Sequence, residues 1–282
     1  MRINNNMAAL NAWRSLTTNG ANMTKSLEKL SSGFRINKAG DDAAGLAVSE
    51  KMRSQIRGMN MAVRNAQDGV SLVQTAEGGA AKIGDMLQRM RELAVQSASD
   101  GLQDDDRTLL QKEMNELVTE VDRVATNLQF NGRALLNNSL APADSLKVQV
   151  GANKDETIGL SFGGLTSTQL TIGTLSDSTV PANAGIKTQA AAATAISTLD
   201  TALTTVNSAR AQMGAYQNRL ENAISTLQTQ VENITSAESR IRDVDMASEM
   251  AQFTKHNILQ QASTAMLSQA NQSTQGVLSL LR

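Results

Sequence analysis

The sequence predicts a mainly α protein: an elongated rod of long, coiled-coil-like helices, with paired N- and C-terminal helices and a small β-hairpin section in the middle of the chain. Three observations carry that prediction. Apolar residues recur at steps of four and three through residues 110–128 and keep heptad phase through 199–241, the signature of a narrow helical seam. The chain has two prolines, Pro142 and Pro181, both in one middle stretch, so long helices can run unbroken on either side. Aromatic residues make up 2% of the chain, which leaves Leu, Val, Ile, Met and Ala to fill thin seams in place of a rounded core.

The N-terminal helix is expected to about residue 32, with Met23, Leu27, Leu30 and Phe34 in helical spacing. The segment SSGFRINKAGDDAAG then interrupts it with Gly33, Gly40 and Gly45, and offers Asp41 and Asp42 as caps. Helix resumes to about Ser99 through Val70, Val73, Ile83, Leu87, Met90 and Leu93. After the turn SASDGLQDDD, the three aspartates Asp104, Asp105 and Asp106 suit the positive end of the next helix. That helix gives the cleanest signal, with a seam of Leu110, Met114, Leu117, Val121, Val124 and Leu128.

From about Asn137 to Gly185 the period shortens to two. Leu146, Val148 and Val150 alternate with polar residues, GANKDET turns the chain, and Ile158, Leu160 and Phe162 share a face; Leu170 and Ile172 suggest a further strand. A long returning helix follows, marked by Leu199, Leu203, Val206, Met213, Leu220, Ile224, Leu227, Val231, Ile234 and Ile241, with Arg210, Gln217 and Glu238 at polar positions of the same register. The expected divisions are residues 1–45 (N-terminal half of a terminal-helix domain, plus the glycine-rich interruption), 46–137 (outgoing helices), 138–186 (β section), 187–238 (returning helix) and 239–282 (C-terminal half of the terminal-helix domain).

Composition removes several function classes. A formal net charge of −1 and a pI near 5.9 give no basic excess for nucleic acid. Cysteine is absent and His256 is the one histidine, so thiolate chemistry and histidine-based metal sites lack material; no cofactor or metal is expected. No run of about 18 apolar residues is present for membrane insertion, and the N-terminal stretch does not read as a cleaved secretory signal. GLSFG matches the nucleophile-elbow pattern around Ser161, but it sits inside an alternating strand, so a hairpin strand is the expected reading. The glycines of EGGAAKIGD read as close helix packing, and the thirteen methionines as seam packing at heptad spacing.

Both ends of the chain are apolar. Ile3, Met7, Leu10, Trp13, Leu27 and Leu30 line the first helix; Met250, Phe253, Leu259, Met266, Val277, Leu278 and Leu281 line the last. Chain ends are usually polar and loosely held. Two slim helices cannot shelter all these side chains between them, so neighbouring copies are expected to cover them and to complete their folding.

The residues themselves point to a family. LSSGFRINKAGDDAAGLAVSEKMRSQIRGM, NAQDGVSLVQTAEG, LQRMRELAVQSA and QFNGRALL, followed later by GAYQNRLENAISTL, SRIRDVDMASEMA and the ending GVLSLLR, resemble bacterial flagellin in that order. The resemblance implies a subunit of the helical, hollow flagellar filament that drives swimming, extracellular and exported through the flagellum's own apparatus. It implies terminal helices around the central channel as an inner domain, long helices in the surrounding shell, Gly33, Gly40 and Gly45 as hinges in the link between the two, and a short form without large outer domains. Implied partners are further copies of the chain, the export apparatus and an export chaperone, and the cap and junction proteins. Some family members also bind an animal innate immune receptor; the match of LQRMRELAVQ makes Arg89, Leu93 and Glu113 the corresponding contacts here. The competing expectations are a hook–filament junction protein and a secreted effector or enzyme using Ser161.

Overall fold

The computed structural model describes residues 6–138, 145–176 and 185–280, with side-chain surroundings given to residue 273. Five helices dominate it: α1 (Met7–Ser32), α2 (Ala43–Ser97), α3 (Asp104–Asn127), α4 (Gln189–Arg242) and α5 (Met246–Leu280). Between α3 and α4 lie two short antiparallel pairs, β1 (Gln129–Phe130) with β2 (Arg133–Ala134) and β3 (Leu146–Gln149) with β4 (Thr157–Leu160). The chain divides into two compact units, Arg57–Val231 and the pair of end segments Met1–Ile56 and Glu232–Arg282.

The Arg57–Val231 unit holds the core. Along α2, Ala66, Val73, Ala76, Ala80, Ile83, Leu87, Met90 and Ala94 are all sealed from solvent, an unbroken seam of threes, fours and one seven. Gly69 fills the gap in that seam, because Leu220 and Val148 stand 3.4 Å from where its Cβ would be. Cross-links fix the pairing of the helices. Arg89 meets Glu113, and Arg107 donates to the carbonyl of Ser97, so α2 and α3 run antiparallel. Arg91 Nε lies 2.6 Å from Asp200 Oδ1 and Gln217 donates to Glu77, which sets α4 antiparallel to α2 as well.

The buried line of α3 differs from the expected seam. It runs through Arg107, Gln111, Met114, Val118, Val121 and Ala125, while Leu110, Leu117, Val124 and Leu128 flank it half-buried. Two polar residues occupy core positions on this line, and both are hydrogen-bonded. Arg107 holds the carbonyls of Ser97 and Ser99 at the end of α2. Gln111 donates to the carbonyl of Leu175 and accepts from the amide of Ile186.

The β section forms as expected around GANKDET: Leu146 pairs with Leu160 and Val148 with Ile158. Phe162 is 2% exposed and meets Tyr216 edge-on, with ring centroids 6.2 Å apart. The expected strand around Leu170 and Ile172 is corrected: Ile172–Leu175 is a 3₁₀ turn. Thr171 takes a left-handed φ of 57°, and the carbonyl of Ser167 accepts from the amides of Ile172 and Gly173, winding the chain inward so that Ile172 and Leu175 are buried. The β1–β2 hairpin was not anticipated, although Asn131 and Gly132 (φ 49° and 76°) carry the Asn-Gly signal of a two-residue turn. The returning helix also extends to Arg242, past the expected boundary at 238.

Candidate assembly surface

The terminal unit is built on α1 and α5, which pack antiparallel. Asn6 donates to the carbonyl of Ala270, Asn19 to Ser263 Oγ, and Lys29 stands 3.9 Å from Glu249, so numbers rise on one helix as they fall on the other. Each helix starts and stops for local reasons. Asn6 caps α1 by accepting from the amide of Ala9, and Asp245 caps α5 by accepting from Ala247 and Ser248. Gly33 ends α1 in the left-handed conformation (φ 76°), its amide returning to the Lys29 carbonyl.

What this unit buries is unusual. Among its described residues, Ile36 is the single fully buried apolar side chain, and the other buried residues are polar: Ser26, Ser49, Glu249 and Ser263. The larger apolar side chains face outward instead. Met7, Leu10, Trp13 and Leu27 on α1 are half or more exposed, as are Ile258 (60%) and Met266 (65%) on α5, with Met246, Met250 and Leu259 close behind. Leu30 and Phe253 are half-buried. Ile3, Val277, Leu278 and Leu281, also expected at this surface, lie outside the residues whose side chains are described.

The distribution around α5 matters as much as the exposure. Leu259 follows Met250 by nine residues, two and a half turns at 3.6 residues per turn, so the two leave the helix on opposite sides. A helix that is apolar on several faces belongs in an interior. α1 covers one face of α5 and leaves both flanks bare.

The two interruptions beside this helix pair are joined to each other. Arg35 donates its amide to the Arg242 carbonyl, Val244 donates to the Gly33 carbonyl, and Phe34 bridges to Asp243. The Arg242 guanidinium lies 4.8 Å above the Phe34 ring and reaches Glu50. Asp42 caps α2 through the amide of Gly45. Asp41 accepts from the amides of Lys38 and Asn37, which holds its carboxyl below the usual carboxylate range, with Lys25 and Lys29 assisting. Of the three expected hinge glycines, Gly33 occupies a conformation that favours glycine, and Gly40 lies in the exposed turn. Gly45 sits instead in the first turn of α2, where a Cβ would collide with Asp42 and Ile36; its small size serves packing.

The remaining candidates divide clearly. Arg89 and Glu113 are exposed and paired across α2 and α3, with Nη2 2.8 Å from Oε1. Leu93 is 1% exposed in the core, so it does not join them as a surface contact. Ser161 is 2.9 Å from the Tyr216 hydroxyl, the arrangement of a positioned strand-end serine. Asp104, Asp105 and Asp106 begin α3 as expected, Asp106 accepting from the Gln103 amide and Asp104 pairing with Arg107. His256 Nδ1 is enclosed without a hydrogen-bond partner among the described residues. Ile258, absent from the expected set, lies off the face of α5 on which Glu249 and Ser263 meet Lys29 and Asn19 of α1.

A terminal helix pair that fully buries mostly polar residues and leaves large apolar side chains exposed fits a self-assembling structural subunit. Comparison with known proteins then gives the family. Residues 3–141 match the bacterial flagellin N-terminal helical region and residues 196–281 the bacterial flagellin C-terminal helical region. The chain is 50% identical over 282 residues to a flagellin of Halalkalibacterium halodurans and 48% identical over 289 residues to the flagellar filament 33 kDa core protein of Treponema phagedenis, with all of both chains covered in each case. In fold alone it resembles a solved structure described as a flagellar hook-associated protein from Vibrio parahaemolyticus, with a TM-score of 0.58 at 13% identity, over 72% of this chain and 100% of that one. The chain belongs to the bacterial flagellin family.

Proposed function

We infer that this chain is a structural subunit of the bacterial flagellar filament, acting outside the cell as a helical homopolymer for swimming. The observation that carries the reading is the inverted terminal unit, which buries serines and a glutamate while Trp13, Ile258 and Met266 face solvent. Burying each such side chain is worth about 1.5–3 kcal/mol, and apolar groups on both flanks of α5 need cover from more than one direction. A two-fold dimer presents one patch to one partner, whereas a helical polymer surrounds each subunit with several. The names of the relatives at 48–50% identity agree with this reading.

On this reading the terminal helices gain their full order on polymerisation and line the filament's interior, while α2, α3 and α4 supply the shell. Export through the flagellar apparatus, an export chaperone, and contacts with cap and junction proteins belong to the same proposal. Arg89 and Glu113 offer an exposed charged pair to an innate immune receptor, and reporter-cell activation by wild-type chain but not by an Arg89→Ala, Glu113→Ala variant tests that part.

The main test is electron microscopy of the purified chain at rising concentration. Long hollow tubes are expected above a threshold concentration, and a chain lacking both terminal helices is expected to form none. Tubes from the doubly truncated chain would overturn the reading. Abundance separates filament subunit from junction protein: a filament subunit dominates sheared flagella.

A further inference from the structure

The sulfur chemistry of this chain is segregated in space. It has thirteen methionines and no cysteine, so no thiol competes for an oxidant. Met59, Met90, Met114 and Met213 are sealed in the Arg57–Val231 unit, at 4% exposure or less. Among the described residues five methionines are prominently exposed, and four of them lie on the terminal helix pair: Met7 (64%), Met246 (49%), Met250 (49%) and Met266 (65%). The fifth, Met61, lies in the other unit, where Arg64 packs against its sulfur.

We propose that Met7, Met246, Met250 and Met266 are oxidation-sensitive positions, spread along the terminal helix pair, through which peroxide-class oxidants control assembly of the free subunit. This rests on the filament reading above. The thioether sulfur attacks one peroxide oxygen, a new S–O bond forms as the O–O bond breaks, and water leaves. Sulfur is oxidised by two electrons and the peroxide is reduced by two. The product is a polar, chiral sulfoxide in place of a flexible apolar group. On a surface that must be desolvated against a neighbouring copy, each sulfoxide carries a polar oxygen into an apolar contact and opposes docking. Burial in the polymer shields the same sulfurs, so the free subunit is the sensitive form and the filament the resistant one. Sulfoxide is returned to thioether by reductases of the methionine sulfoxide class, which makes the block reversible.

The test oxidises purified subunit with hydrogen peroxide, maps added oxygen by mass spectrometry, and measures assembly by sedimentation. Expected are oxygen addition at the four terminal methionines ahead of the core ones, and an at least tenfold rise in the concentration needed for assembly. A variant with all four changed to leucine should assemble alike before and after peroxide, and Met61→Leu should leave wild-type sensitivity intact. Treatment of preformed filaments should leave those four methionines mostly unmodified. Unchanged assembly of the oxidised wild type, or equal loss by the four-leucine variant, would overturn the proposal while untreated assembly still upheld the filament reading. Failure of untreated subunit to assemble would instead remove that reading, and this proposal with it.

Discussion

Gln111 shows how much of the fold depends on residues that hydrophobic periodicity ignores. It is 1% exposed, yet its side chain holds the Leu175 carbonyl with one end and the Ile186 amide with the other, tying the 3₁₀ turn and the start of the returning segment to α3. A buried donor or acceptor left unpaired costs about 1–3 kcal/mol. Gln111→Leu keeps similar bulk but orphans both backbone groups, so a loss of roughly 2–5 kcal/mol is expected. The measurement is urea unfolding of the monomer; a loss within 0.5 kcal/mol, the range of ordinary surface changes, would show that those groups find other partners. The Arg107 guanidinium is a second case, closing the open carbonyls at the end of α2. Such satisfied polar groups were illegible in the sequence because their partners lie far along the chain or on the backbone.

At the scale of elements, the long helices were legible because each is specified locally, by a repeating apolar step and by capping residues such as Asp42 and Gly33. The Leu170–Ile172 segment was misread because its alternation is real but the Ser167 carbonyl and the left-handed Thr171 redirect it into a turn. Phase was the other difference: the buried line of α3 includes Arg107 and Gln111, which an apolar pattern does not count. The pairing of α1 with α5 was legible, whereas the polar residues inside it were not, since Ser26, Ser263 and Asn19 look like surface residues in a sequence. That interior has a consequence for stability. With Ile36 its one fully buried apolar side chain among described residues, the terminal unit has little hydrophobic support. Regions with few buried apolar contacts open at low free energy. Limited trypsin digestion of dilute monomer is therefore expected to cut first at Arg14, Lys25, Lys29 and Lys255, leaving a resistant fragment around Arg57–Val231. The same sites should be protected in polymer. Equal resistance of the two units in monomer would contradict the argument.

For the molecule as a whole, the two units answer different requirements. The Arg57–Val231 unit encloses a contiguous apolar core, from Ala66 to Leu220. The terminal unit, drawn from both ends of the chain, displays its apolar side chains, so the free energy it lacks as a monomer becomes available on association. Stability and assembly can then be separated by mutation. Ile258 is 60% exposed, so an aspartate there costs the monomer almost nothing. In the polymer the same change forfeits roughly 1.5–3 kcal/mol of apolar burial. Since about 1.4 kcal/mol is a factor of ten in an equilibrium, Ile258→Asp is expected to raise the threshold concentration for assembly by roughly 10- to 100-fold or more. Desolvating the carboxylate adds to that loss. The monomer's unfolding midpoint should stay at the wild-type value. Sedimentation across a concentration series, paired with urea unfolding below threshold, reads both quantities from one preparation. An unchanged threshold would mean that Ile258 faces solvent in the assembled state as well, and the outward face of α5 would then not be the surface that holds neighbouring subunits together.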